Sequence, residues 1–369
     1  MKELNQSERL WLWLNSITGA QPLLFHRIID AAGGVEALFE MAAGKRLQGM
    51  DFLAPAMRQK LCDTANEGYM EQYVRWLAKR EIQVIVENSQ EYPVLLQEIY
   101  APPTLLFVRG TLPQELDLPI AMVGMRQNTP YGERIARKLG EELARNGATI
   151  VSGMALGIDR YSALGALAYE EAEHPTVAVL GSGIDVIYPS SNARLYEKII
   201  ERGAVVSEFL PGTRPLKGNF PIRNRIISGL SLGVVVVEAG ERSGTSITAN
   251  YALEQNREIF AVPGDIDRKQ SAGPNALIRQ GWAKPVFGVE DILEEFGRHA
   301  KGNALEKQVD ISRLNQPQRD IYLALQEGPK SADEICQMLS LDAAQVNQAL
   351  TSLQFSGIMK QLPGRLYSI

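Results

Sequence analysis

The spacing of apolar residues changes character along the chain, and the changes mark out its parts. In residues 1–100, apolar side chains recur every three or four positions in short runs such as LWLWLNSI, PLLFHRIIDAAGGVEALFEM and EGYMEQYVRWLAKREI. That spacing puts them on one stripe of a helix and predicts a helical N-terminal domain, punctuated at Gly33-Gly34 and Gly44. A strand, IQVIVENS, and a turn, EYPVLLQEIYAPP, close it. In residues 101–297 the rhythm is different. Near-continuous apolar runs (PIAMVGM, ATIVSGM, TVAVLGSG, AVVSEF, LGVVVVEA, EIFAVPG) alternate with amphipathic ones (ERIARKLGEELARNG, DRYSALGALAYEEA, ARLYEKIIERG, PIRNRIISGLS, SITANYALEQNR). Strands apolar on both sides, alternating with helices, predict an α/β domain with a doubly wound, mostly parallel sheet.

Residues 298–312, RHAKGNALEKQVDIS, are polar and aperiodic and read as a linker. In residues 313–369, QPQRDIYLALQ, ADEICQML and DAAQVNQALTSLQFSG predict three helices. IMKQLPGRLYSI predicts a hairpin turning at Pro363-Gly364, which completes a winged-helix order. The expected recognition helix, residues 342–357, contains no Lys or Arg. Readers of duplex DNA are strongly positive, so this module is expected to contact protein or serve an accessory role.

Composition narrows the classes. No apolar run is long enough for a signal peptide or membrane span, and the two cysteines, Cys62 and Cys336, lie far apart. Both points lead us to expect a cytoplasmic protein with reduced thiols and no membrane partner. Three histidines, none at ligand spacing with a cysteine, argue against a zinc site.

The formal charge is −5, yet Lys217, Arg223, Arg225 and Arg242 crowd around one valine-rich strand together with Phe220. Each sheet strand runs into small residues before a helix: Gly124-Met125-Arg126, Ser152-Gly153 through Gly157, Gly181-Ser182-Gly183 and Ser243-Gly244-Thr245. Such loops bring free backbone N–H groups and helix starts to one end of the sheet, where an open α/β sheet binds anions. A phosphate-rich ligand with a base to stack on Phe220 fits this set. No G-x-x-x-x-G-K-[ST] loop and no G-x-S-x-G elbow occur, and the dinucleotide pattern begun at Gly181 has Val186 where its third glycine belongs. Asp159, Asp185, Glu208 and Glu238 are acid/base candidates, but each reads more simply as a cap or a salt-bridge partner of the nearby arginines.

The stretches AMVGMR, VSGMALGID, VAVLGSGIDVIYPSSN, GAVVSEFLPGTRP, NFPIRNRIISGLSLGVVVVEAGERSGTSITANYALEQNREIFAVPG and SAGPNALIRQG closely resemble the DprA/Smf family of DNA-processing proteins. The likeness spans nearly all of residues 93–290. It implies an extended Rossmann-like domain between an N-terminal helical domain of SAM or helix-hairpin-helix type and a C-terminal winged helix. It also implies a homodimer that binds single-stranded DNA and loads a RecA-type recombinase during natural transformation, with no cofactor and no catalysis. By position, the single-strand site would comprise Gly124, Arg126, Ser152, Gly153, Lys217, Phe220, Arg223, Asn224, Arg225, Arg242, Ser243 and Gly244. The dimer surface would fall at Asn275, Leu277 and Ile278. The chain departs from the family pattern at Met125, where a serine is usual, at Tyr161-Ser162, and in the loop of residues 243–249. A second class, a nucleotide-cleaving phosphoribohydrolase-like protein using Glu238, is carried by a loose likeness of EAGERSGT to that group's loop, but it leaves the basic run at 217–225 unexplained.

Overall fold

The computed structural model describes residues 3–47, 50–240, 244–300, 314–326, 328–339, 341–356, 358–362 and 366–368. The chain forms two compact units, residues 1–300 and 301–369.

The first unit opens with five helices: α1 (Gln6–Thr18), α2 (Pro22–Ala32), α3 (Val35–Ala43), α4 (Pro55–Thr64) and α5 (Glu67–Ala78). A capping box starts α1, with Asn5 and Glu8 each accepting from the other's backbone N–H. Gly33, in the left-handed region at φ 78°, ends α2 and separates it from α3. Trp13, Phe25, Ile28, Leu38 and Leu61 are fully buried among these helices, and Trp13 Nε1 donates to Thr64 Oγ1 at 3.0 Å.

The sheet follows: β1 (Gln83–Val86), α6 (Val94–Gln97), β2 (Leu105–Gly110), β3 (Leu118–Val123), α7 (Pro130–Arg145), β4 (Ala148–Ser152), α8 (Ile158–Ala168), β5 (Thr176–Val179), α9 (Ala193–Arg202), β6 (Ala204–Ser207), α10 (Asn219–Gly229), β7 (Gly233–Val236), α11 (Gly244–Glu254), β8 (Glu258–Ala261), α12 (Ala272–Arg279), β9 (Lys284–Pro285) and α13 (Glu290–Leu293). The strand order is β1-β2-β6-β5-β4-β3-β7-β8-β9. Pairing is parallel from β6 to β9 and antiparallel at β1/β2 and β2/β6.

Alternate residues of each strand serve opposite faces, as strand geometry requires. In β7, Val234 and Val236 join the core under α10 and α11, while Val235 joins the core under α7. In β2, Leu106 and Val108 go to the first face, while Leu105 and Phe107 meet the N-terminal helices. The expected strand at IQVIVENS therefore belongs to the sheet, not to the helical part. It reaches the sheet through β2, a strand the sequence reading passed over because a short apolar run between PPT and a glycine has no period of its own.

In this sheet the chain winds outward from β3 to β6, then returns to place β7 on the other side of β3. The C-terminal ends of β3 and β7 thus flank the switch point of a Rossmann-like doubly wound fold, where the loops diverge and leave a crevice.

The second unit contains α14 (Gln316–Gln326), β10 (Lys330–Ser331), α15 (Ala332–Leu339), α16 (Ala343–Phe355), β11 (Lys360–Leu362) and β12 (Leu366–Ser368), with sheet order β10-β12-β11. Ile321, Ile335, Val346 and Leu353 form its core, and Asp342 caps α16 by accepting from Gln345 N at 2.7 Å. This is the winged-helix order. The turn expected at Pro363-Gly364, and residues 301–313 around the expected linker, lie outside the described residues. Residues 298–300 are described, and Arg298 forms an ion pair with Asp117 at 2.6 Å.

Candidate functional site

The crevice at the switch point is a cleft of about 530 Å³, walled by the loops after β3 and β4 and by the first turns of α10 and α11. The loops are stitched together by backbone: Met125 N donates to Glu238 O at 2.9 Å, and Ile158 N donates to Met125 O at 3.2 Å. Asn219, at the start of α10, donates its side-chain amide to Gly181 O at 3.1 Å, tying that helix to the end of β5. Two eleven-residue helices, α10 and α11, therefore present their N-terminal turns, the positive ends of their dipoles, to one opening.

Phe220 is the centre of this wall. Its ring lies against Gly181, where an added Cβ would come within 2.7 Å of Phe220 Cδ1. The Arg126 guanidinium sits 5.1 Å from the ring centroid, and the Tyr188 ring lies 5.7 Å away at 34°. Arg126 and Lys217 are exposed. Asn224 bridges toward α11 with a weak contact of 3.5 Å to Gly244 O.

Beneath the cleft lies a buried polar floor. Arg223 is 5% exposed, donates through Nη1 to Gly153 O at 2.9 Å and also to Val179 O, and so joins the ends of β4 and β5. A Cβ on Gly153 would lie 2.4 Å from this guanidinium, so any larger residue there must shift Arg223. Asp159 accepts from Gly153 N at 2.9 Å and from Ala155 N at 3.4 Å. Burial raises the Asp159 carboxyl above its usual range, opposed by Arg223 and those N–H donors. Burial likewise pushes Arg223 down to about 10, opposed by Asp159 and reinforced by Arg126. The field above the floor is cationic, and the floor itself carries one compensated pair.

The model of the DNA recombination-mediator protein A family matches residues 83–297, and that of the DprA winged helix domain matches residues 306–365. The chain belongs to the DNA recombination-mediator protein A family. Protein Smf of Synechocystis is 31% identical over 398 aligned residues, covering 98% of this chain and 99% of that one. The X-ray structure of DNA processing protein A from Streptococcus pneumoniae superposes with a TM-score of 0.66 at 33% identity, covering 80% of this chain and 99% of that one. DNA processing protein A from Helicobacter pylori, described for its single-stranded DNA binding mode, gives 0.51 at 30% identity over 58% of this chain and 95% of that one.

Not every residue implied by the family pattern meets at the cleft. Gly124, Arg126, Phe220, Arg223, Asn224 and Gly244 line it. Ser152 and Gly153 lie fully buried under it, with Met154 N contacting Ser152 Oγ at 3.4 Å. Lys217 stands on the exposed turn ahead of α10. Arg242 and Ser243 lie outside the described residues. Arg225 turns away from the cleft and forms a buried ion pair with Glu208. Burial raises the Glu208 carboxyl to about 7, opposed by Arg225.

The other two acids have backbone or side-chain partners of their own. Asp185 accepts from Gly212 N at 2.7 Å. Among the described residues Glu238 forms no ion pair with an arginine, and Arg242, its neighbour in sequence, lies outside them. Glu238 accepts from both Thr129 N and Thr129 Oγ1, the N-cap residue of α7. Both of its oxygens are thereby engaged, and its residue is 4% exposed.

Asn275, Leu277 and Ile278 lie on α12, at the β8–β9 edge of the sheet. The Asn275 side chain exchanges hydrogen bonds with Gly264 N and O at 3.2 and 2.9 Å, and the two apolar residues pack half-buried on the core. Tyr188 was missed by the sequence reading. Its signal was an aromatic residue directly before Pro189 in the loop that follows a glycine-rich strand end. Among the described residues no metal-type cluster of His, Cys, Asp or Glu occurs, and no helix is long and apolar enough to cross a membrane.

Proposed function

We propose that the chain binds single-stranded DNA in the switch-point cleft. The observation that carries this reading is the packing of Arg126 beside Phe220 between two helix N-termini, in a chain whose overall charge is negative. A base can stack on the Phe220 ring while Arg126 and Lys217 take the flanking phosphates, an arrangement open only to unpaired bases. The single-stranded DNA binding mode described for the Helicobacter pylori relative supports the same ligand class. Arg223 and Asp159 hold the walls in register and leave the phosphates to the exposed cations. Binding needs no bond made or broken, so the protein acts as a carrier of the strand and not as an enzyme.

On this reading the bound strand is passed to a RecA-type recombinase, and the protein works as a homodimer through the α12 edge. Competition tests the first step. Unlabelled oligo-dT should displace a fluorescent oligo-dT at matched salt, whereas duplex of equal length should do so at least tenfold less well. Equal competition by the duplex refutes the reading.

A further inference from the structure

Phe220 has an aromatic neighbour that the single-strand reading has not used. We propose that Tyr188 is a second stacking surface, so that the site takes two successive bases, one on Phe220 and the next on Tyr188, with Arg126 at the phosphate between them. This rests on the single-strand reading and extends its footprint.

Three observations carry it. First, Tyr188 is 42% exposed, a large apolar ring left open at the mouth of the site. Second, its plane is tilted 34° from that of Phe220 at a centroid distance of 5.7 Å, so the two rings splay and offer separate faces rather than one slot. Third, a small hollow of about 40 Å³ beside Phe220, lined in part by Tyr188, Leu156 and Arg126, shares Arg126, Ala155, Phe220 and Arg223 with the main cleft. Phe220 thus borders two adjoining recesses, with Arg126 and Arg223 at both.

The Tyr188 loop is also held in place before any ligand arrives. Ser182 Oγ donates to Val186 O at 2.8 Å, Tyr196 OH donates to Ile184 O at 2.6 Å, and Asn192 Nδ2 reaches across to Met154 O at 2.8 Å. A ring presented on a pinned loop loses little conformational freedom when a base stacks on it.

The test compares affinities for short oligo-dT among the full-length wild type, Tyr188→Phe, Tyr188→Ala and Phe220→Ala, together with photocrosslinking of 5-iodouracil-substituted oligo-dT mapped by mass spectrometry. Stacking predicts that Tyr188→Ala weakens binding by about fivefold or more, with an unchanged salt dependence, and that Tyr188→Phe binds like the wild type. Crosslinks should form at both Tyr188 and Phe220. If Phe220→Ala weakens binding but Tyr188→Ala stays within about twofold of wild type, the two-base footprint is wrong while the single-strand reading stands. A crosslink at Phe220 without one at Tyr188 also overturns it, because Tyr188 then only supports its neighbour. Failure of Tyr188→Phe to bind like the wild type assigns the contact to the hydroxyl and refutes stacking. Loss of effect in Phe220→Ala as well strikes the underlying reading itself.

Discussion

Replacing Phe220 or Arg126 by alanine should weaken single-strand binding in two distinguishable ways. Phe220 contributes a ring face, so Phe220→Ala removes base stacking worth about 1–3 kcal/mol, or about five- to 150-fold in Kd at any salt concentration. Arg126 is exposed and contributes a charge. Each cation that neutralises a phosphate of a single strand adds about −0.7 to the slope of log K against log salt. With Arg126 and Lys217 as the exposed cations described at the cleft, their joint share of the slope is about −1.4, or about a sevenfold loss between 50 and 200 mM salt. Arg126→Ala should halve that share, leaving about a 2.6-fold loss from this pair over the same range. Contacts elsewhere on the protein add equally to every line, so the difference in slope is the quantity to read. Fluorescence anisotropy of a labelled oligo-dT across a salt series measures both effects. Parallel lines for wild type and Arg126→Ala, or a changed slope for Phe220→Ala, would refute this division of labour.

Further outcomes follow from the same geometry. Gly181→Val should displace the Phe220 ring, whose Cδ1 would lie 2.7 Å from the added Cβ, and reduce oligo-dT affinity as Phe220→Ala does; a variant that folds and binds like the wild type contradicts the packing. Glu208 holds its proton more tightly when folded, at about 7 against 4.5 for the free group, so its contribution to stability is lost as pH rises through that window. The stability of wild type relative to Glu208→Gln should therefore fall between pH 4.5 and 7, on the order of 3 kcal/mol over the full window, as read from urea melts at each pH. Removing residues 301–369 should leave oligo-dT affinity within about twofold, because α16 carries no Lys or Arg to hold phosphate.

The alternation of apolar runs with amphipathic ones made the six strands β3 to β8 legible, because buried parallel strands have an unmistakable composition. β2 was not legible, since its six residues have no polar alternation and one of its partners, β6, lies about a hundred residues further along the chain. Within the site, the run Arg223-Asn224-Arg225 reads as a cluster of charge, but two positions on a helix are about 200° apart. One arginine therefore goes under the cleft, and the other goes to Glu208 on the far side. The partner of Glu238 was equally hidden. Thr129 lies 109 residues away, brought there by the parallel pairing of β3 with β7. The residues legible as lining the cleft were those at strand ends and helix starts, where position along the element alone fixes the end of the sheet they occupy.

The location of the bound strand is most directly tested by hydrogen–deuterium exchange of the full-length protein with and without saturating oligo-dT. Protection should appear in residues 124–128 and 153–158 and in the first turns of α10 and α11, with little change in residues 314–368. Protection confined to the second unit, or to α12, would contradict a strand held at the switch point.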